Sequence, residues 1–351
     1  MGKDNTKRQL LPDILKGVAV LLMIQVHLME LFATQGIYDS MWGKISLFLG
    51  GPPAAPIFMA VMGYFIAKSE SGTVQSVMRG LKLIVYGLLL NVGLNLHLLY
   101  HIFIGEQTLN PLPYLFGVDI LFLAGLSVIA IAVLRLILRN SLFGWLLLTL
   151  LVASAGLFIP SGEIDGSWLT YLLAFIVRET WWSYFPLFPW LAYPLAGYSF
   201  YLISKSDFIT EISKSKLLLV GGSLLILLLI TFSYGFNITV DLPAYYHHAT
   251  TYFLWAMLFL AFWVIVISYL VKHTAGNPVN KYLQWTGRNV TAFYVFQWLL
   301  IGNLATAFYK TVSAGYLVLW FLGITIATSC LVWIYKIVKA KYRADKRVGL
   351  V

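Results

Sequence analysis

The first apolar stretch of the chain carries three ionisable side chains at a regular spacing. Asp13 and Lys16 are three residues apart, and His27 follows eleven residues after Lys16, close to three turns of an α-helix. The three side chains therefore lie along one stripe of a helix, with His27 about 16 Å beyond Lys16. Ionisable groups within a membrane span are costly unless paired or hydrated, so this stripe is a candidate functional site.

His27 has a second acidic neighbour on the same helix. Glu30 follows it by three residues, which places both side chains near one face. A histidine beside a carboxylate can deprotonate an acceptor group or carry a transferred group transiently. The alternative is a histidine that hydrogen-bonds to a neighbouring helix for packing. Because Asp13 and Lys16 share the helix, we interpret all four residues as candidate catalytic groups.

Later stretches add two further sets of candidates. The first set supplies cations and an amide at one membrane face, which suits a phosphorylated ligand, although positive-inside topology is the alternative for each residue alone. It consists of Lys16, Arg79, Lys82, Arg288 and Asn289. The second set combines aromatic and polar groups that suit a sugar ring, and aromatic-belt anchoring is its alternative. It consists of Asp119, Arg178, Glu179, Trp190, Tyr294 and Gln297.

His97 and His101 are spaced four residues apart, which can place two metal ligands on one helix face. No third ligand is evident near them. The sequence therefore predicts no metal centre.

The composition is that of a membrane protein. The chain has 351 residues, of which 60% are hydrophobic and 11% charged, whereas soluble domains carry about 25% charged residues. The net charge is +10, and the Lys and Arg residues that cause it are concentrated on one side of the predicted membrane spans. Membrane topology therefore accounts for the charge, and nucleic acid is not an expected partner. The chain lacks a GxxxxGK[ST] loop, which argues against an ATP-driven pump.

Hydropathy predicts a single all-α domain over residues 1–351, with about ten transmembrane helices. The predicted spans are 12–31, 54–67, 81–104, 113–136, 142–158, 184–203, 217–236, 250–270, 290–308 and 314–337. Residues 168–177 are too short to cross and are interpreted as a re-entrant or interfacial helix. A glycine- and proline-rich break at residues 50–56 predicts a cavity wall near the end of the first helix, or else a plain loop.

The distribution of charge predicts that both termini are cytoplasmic. In that orientation only Lys44, Arg178 and Lys310 of the 24 Lys and Arg residues fall outside. Residues 1–11 then form a cytoplasmic segment, and residues 338–351 form a basic tail that attracts anionic lipid. A bacterial inner membrane is the expected location, and a homo-oligomer is compatible with the sequence.

These residues resemble a known family. Residues 13–19, followed by Met23 and His27, are similar to the first helix of the transmembrane acyltransferase superfamily, which includes heparan-α-glucosaminide N-acetyltransferase-like proteins and acyltransferase family 3 enzymes. The pattern there is an acid, an arginine three residues later and a histidine eleven after that; Lys16 replaces the arginine here. Four further segments resemble the heparan-acetyltransferase-like branch most closely, in the family order. They are residues 56–64, 79–82, 184–197 and 287–294.

The resemblance implies transfer of an acyl group, usually acetyl, from cytoplasmic acyl-CoA to an extracytoplasmic carbohydrate or glycolipid acceptor. It assigns the catalytic role to His27 and the donor side to Asp13 and Lys16. The main alternative is a proton-coupled transporter or flippase that uses Asp13, Lys16, His27 and Asp119 as a relay. The segment 79–82 carries Arg79 and Lys82 where the family has a pair of arginines. A third interpretation is therefore a non-catalytic membrane partner that keeps the fold, which the lysine replacements at Lys16 and Lys82 allow.

Overall fold

The computed structural model describes residues 10–158, 168–177, 180–205, 214–274 and 276–348. These residues form α-helices, one 3₁₀ turn at Ala155–Phe158 and two isolated β-bridges. The helices are α1 Leu10–Leu31, α2 Gln35–Tyr38, α3 Met41–Gly50, α4 Ala55–Lys68, α5 Thr73–Leu94, α6 Leu96–Phe103, α7 Leu112–Leu115, α8 Ile120–Leu138, α9 Leu142–Ser154, α10 Trp168–Ala174, α11 Leu187–Trp190, α12 Ala192–Lys205, α13 Lys214–Ile230, α14 Phe232–Val240, α15 Leu242–Tyr246, α16 Thr250–His273, α17 Pro278–Arg288, α18 Val290–Phe308 and α19 Ala314–Val348.

The fold is that of an all-α integral membrane protein, as the sequence predicts. Within the described residues seven helical segments are long and apolar enough to cross a membrane, or eight if the bent pair α13–α14 counts as one span. Two other predicted spans contain α9 and α12, whose 13 and 14 residues are fewer than the roughly 20 of a straight crossing.

Several predicted boundaries were wrong because polar groups interrupt apolar stretches. The predicted span 81–104 is divided: α5 begins at Thr73 and ends at Leu94, and α6 follows Asn95. The Asn95 amide donates to the carbonyl oxygens of Asn91 and Tyr114, so it satisfies backbone groups at the break. Likewise, the helix expected from residue 113 begins at Ile120, where the Asp119 carboxylate accepts from its backbone N–H.

Glycines set the closest helix crossings. At three crossings a Cβ on either glycine would overlap backbone atoms of the opposite helix, so only glycine permits this approach. The pairs are Gly17 with Gly287, Gly63 with Gly197, and Gly80 with Gly125. They join α1 to α17, α4 to α12 and α5 to α8. Close approach through small residues is the usual basis of helix packing in membranes.

Helix α1 lies centrally and contacts α3, α4, α16, α17, α18 and α19. Beyond its end at Leu31, the chain is tied to the segment after α18. The backbone N–H of Lys310 donates to Leu31, that of Val312 donates to Phe32, and that of Thr34 donates to Val312, at 2.8 to 3.0 Å. The two helices are therefore connected where both end.

Candidate active site

A cavity of about 590 Å³ lies between α1, α18 and the first residues of α8. Trp181 and Tyr309 line its rim and are 62% and 60% exposed, so the cavity opens at the Glu30 end of α1. Gly50, Gly51 and Ala55 form part of its wall, which confirms the cavity wall expected from the break at residues 50–56. Its size is in the usual range for small-molecule sites.

His27 lines this cavity and is half-buried. Its ring lies against Trp298 of α18, with ring centroids 4.0 Å apart and an interplanar angle of 33°. The Nδ1 atom is buried, and no hydrogen-bond partner for it lies among the described residues. Buried polar atoms are normally hydrogen-bonded, so an unpartnered imidazole nitrogen beside a cavity marks a candidate reactive group.

Glu30 also lines the cavity, but it makes no hydrogen bond to His27 within the part of the chain that the structure describes. The Glu30 carboxylate has an electrostatic interaction with Lys310. Burial lowers the pKa of Lys310, and the carboxylates of Glu30 and Asp39 oppose that effect. The Lys310 ammonium also lies 3.8 Å from the centroid of the Tyr38 ring. Glu30 therefore faces a partly buried cation at the mouth of the cavity.

Asp119 and Tyr294 form a hydrogen-bonded pair in the cavity wall. The Tyr294 hydroxyl donates to Oδ1 of Asp119, which also accepts from the backbone N–H of Ile120. The other carboxylate oxygen, Oδ2, is buried and unpartnered among the described residues. On α18, Tyr294 precedes Trp298 by one helical turn. Asp119 therefore contacts α18 one turn before the residue on which the His27 ring lies.

A second group of charges lies near the other end of α1. Asp13 is only 2% exposed and accepts from Lys16 Nζ at 3.0 Å and from Arg288 Nε at 3.3 Å. Gly17 and Gly287 permit this arrangement, because they bring α1 and α17 into backbone contact. Lys16 is 15% exposed and Arg288 is 42% exposed, so this cluster keeps a net positive charge with access to solvent.

The remaining predicted donor-side residues have other local contacts. Arg79 and Lys82 are exposed on α5, and Arg79 lines a small recess with Ser69 and Ser76. The side-chain amide of Asn289 donates to the carbonyl oxygen of Trp285, so it closes the end of α17.

Two predicted substrate-binding residues are buried outside the cavity lining. Trp190 is fully buried, and its Nε1 donates to the carbonyl oxygen of Tyr246 at 2.7 Å. Gln297 is also fully buried, and neither end of its amide has a partner among the described residues. Neither side chain lines the cavity. Arg178 and Glu179 lie outside the described residues.

Sequence reasoning missed several residues of the cavity wall. Trp298 holds the His27 ring, and the only signal for it is its spacing of four residues from Tyr294. Asn91 also lines the cavity, where its side-chain amide donates to the carbonyl oxygens of Leu115 and Gly117. An asparagine near the end of an apolar helix was the available signal for this contact.

No cluster of three or more His, Cys, Asp or Glu side chains placed to hold a metal occurs in the described ranges. The groups that line the cavity include an imidazole, a carboxylate–phenol pair and several aromatic rings. An imidazole in the wall of such a cavity is suited to proton transfer or to nucleophilic chemistry.

The chain belongs to the family of the heparan-alpha-glucosaminide N-acetyltransferase catalytic domain, whose family model matches residues 8–230. This confirms the resemblance drawn from the motifs and makes the protein a member of a membrane acetyltransferase family. The matched region contains His27, Glu30 and Asp119, whereas Arg288 and Tyr294 follow it. No curated protein and no solved structure matches the chain.

Proposed function

We propose that this protein transfers an acetyl group from acetyl-CoA to an amino or hydroxyl group of a carbohydrate or glycolipid acceptor, with His27 as the catalytic residue. The observation that carries the proposal is the position of His27 in the cavity, which the Asp119–Tyr294 pair also lines. Family membership supports the acetyl chemistry. The acceptor enters through the aromatic rim, where Tyr184 and Trp181 offer ring faces to a sugar.

The proposed chemistry follows from the imidazole. His27 takes a proton from the acceptor as its oxygen or nitrogen attacks the thioester carbonyl, so a new C–O or C–N bond forms. The C–S bond breaks, and the CoA thiolate receives the proton from the imidazolium. Transfer through an acetyl-imidazole would use the same side chain in two steps. Asp119 and Tyr294 bind and orient the acceptor, and Glu30, which faces Lys310, contributes charge at the mouth of the cavity.

We place the donor at the opposite end of α1. The cluster of Asp13, Lys16 and Arg288 has two cations for one carboxylate, which suits the phosphates of a CoA. Arg79, Lys82 and Asn289 remain predicted donor-binding residues. The charge distribution of the sequence puts this end in the cytoplasm, so donor and acceptor approach from opposite faces of a bacterial inner membrane.

A direct test measures acetyl transfer from radiolabelled acetyl-CoA to glucosamine in proteoliposomes. We expect His27→Ala to reduce turnover by about 10²- to 10⁴-fold, the usual contribution of a positioned acid–base group. His273→Ala is a matched control, since His273 lies against Tyr269 at the end of α16, away from the cavity. Acetyl-CoA binding and the thermal midpoint should be unchanged in His27→Ala. Turnover within tenfold of wild type in that variant would contradict the catalytic assignment.

A further inference from the structure

Two histidines on α6 face each other beside the cavity. His97 and His101 are one helical turn apart, and their Nε2 atoms are separated by 3.0 Å. The Nδ1 atom of His97 lies 3.0 Å from the carbonyl oxygen of Asn303 on α18. The Nδ1 atom of His101 lies 2.5 Å from a carboxylate oxygen of Glu106. Each imidazole therefore has one nitrogen facing an oxygen and the other facing its neighbour.

The oxygen partners determine which nitrogens carry hydrogen. A backbone carbonyl and a carboxylate oxygen are acceptors, so the Nδ1 atoms of His97 and His101 are both placed to donate. In a neutral imidazole the other nitrogen is then an unprotonated acceptor. Two acceptors at 3.0 Å do not hydrogen-bond to each other. Two such acceptors at this distance are held together by a cation between them, which either a shared proton or a metal ion can supply.

We propose that His97 and His101 bind a divalent transition metal through their Nε2 atoms. Imidazole nitrogens suit zinc, copper and nickel. A metal-bound histidine almost always donates its other N–H to a carboxylate or a backbone carbonyl, and here Glu106 and Asn303 supply one partner of each kind. The sequence predicted no metal because a third ligand was missing, but these two orienting contacts become visible only in the folded chain.

The distance between the two nitrogens fits this role. Zinc–nitrogen bonds of about 2.0–2.1 Å at a tetrahedral angle place two nitrogens about 3.3 Å apart. The observed 3.0 Å separation of the His97 and His101 Nε2 atoms thus requires a ring shift of only about 0.3 Å. Both side chains are partly exposed, so water can complete the coordination shell. No third His, Cys, Asp or Glu ligand is placed there in the described ranges.

The metal would stabilise the rim of the proposed acceptor cavity. Asn95 and Leu98, on either side of His97, line that cavity, as does Gln107. The backbone N–H of Gln107 donates to the His101 carbonyl at 3.2 Å, so the turn after α6 folds back onto the histidine pair. A metal held there fixes α6 and this turn against α18. The site itself does not depend on acetyl transfer.

Calorimetric titration of the purified full-length protein with Zn²⁺ alone tests the proposal. The affinity tag must not be polyhistidine, and neither CoA nor acceptor is added. We expect one Zn²⁺ per chain, with binding lost in His101→Ala and weakened about 10- to 100-fold in Glu106→Gln, as for other orienting partners. His273→Ala is the matched control, since its Nδ1 also faces a carbonyl oxygen, that of Tyr269 at 2.8 Å, but no second imidazole lies beside it.

Equal Zn²⁺ affinity in wild type and His101→Ala would overturn the proposal. So would the absence of Zn²⁺ binding to folded wild type, in which case the two histidines share a proton. If His101→Ala does not fold, His97→Ala takes its place. A rise in the thermal midpoint of wild type with Zn²⁺ gives a readout that needs no variant, because a ligand that binds only the folded state stabilises it.

Discussion

Replacing Asp13 with asparagine is the sharpest test of how the first helix is held. This carboxylate is 2% exposed and receives Lys16 Nζ at 3.0 Å and Arg288 Nε at 3.3 Å. Asparagine keeps the shape of the side chain and removes its charge. Two cations then face a neutral amide, and the contact between α1 and α17 loses the carboxylate that offsets them.

The expected cost follows from the exposure of the two cations. Breaking a buried ion pair by removing one partner costs about 3–5 kcal/mol. Arg288 is 42% exposed and can turn towards solvent, whereas Lys16 is only 15% exposed and stays desolvated. One cation is therefore left uncompensated, and we expect Asp13→Asn to lower the free energy of unfolding by about 3 kcal/mol.

Reversible unfolding in mixed detergent micelles, followed by tryptophan fluorescence, measures this loss. The double variant Asp13→Asn/Lys16→Met removes the uncompensated charge and should recover at least half of it, since apolar replacement of a buried pair is often neutral. The reasoning is refuted if Asp13→Asn unfolds within 1 kcal/mol of wild type. It is also refuted if the double variant loses the sum of the two single losses.

Three further outcomes are expected. Gly287→Ala should lower the thermal midpoint, because the added methyl group would overlap a backbone carbonyl of α1. Gly323→Ala is the control and should leave the midpoint unchanged, since no atom lies within 4 Å of the added methyl group. Equal midpoints for the two variants would contradict the close crossing of α1 and α17. Burial lowers the pKa of His248 to about 4 from its ordinary 6.5, so the unfolded chain binds the proton first and stability should fall as pH drops from about 6.5 to about 4. His248→Gln should flatten that curve of thermal midpoint against pH, and an unchanged curve would remove His248 as its cause. Asp119→Asn should reduce kcat/KM for acetyl transfer at least tenfold, since Tyr294 loses its anionic partner; wild-type kinetics would exclude a role for this pair.

The sequence was sufficient for the first helix and for the cavity wall. Asp13, Lys16 and His27 could be placed on one stripe because the 3.6-residue period depends on local geometry alone. The break at residues 50–56 was also predictable, because glycine and proline interrupt a span only where protein or water surrounds it. Both inferences needed no knowledge of which helices are neighbours.

Contacts between distant segments could not be predicted from the sequence. Arg288 was predicted as a donor-side cation, but its pairing with Asp13, 275 residues earlier, depends on the crossing of α1 and α17. The division of the span 81–104 depends on Asn95 binding a carbonyl oxygen of Tyr114, a residue outside that stretch. Hydropathy averages over a window and does not register such a partner. Trp190 was predicted to bind substrate because the sequence alone does not distinguish an aromatic residue of the core from one of a binding site.

The connections between α1 and α18 determine which wall of the cavity can move. Near Asp13, α1 is linked through Arg288 to the end of α17, which leads directly into α18. In the middle His27 lies on Trp298 of α18, and beyond Leu31 backbone hydrogen bonds connect the segments that follow α1 and α18. Because they are linked at three levels, α1 and the segment α17–α18 form the rigid side of the cavity. Any widening of the mouth to admit a bulky acceptor must therefore come from the opposite wall, formed by α7 and the turn that carries Trp181.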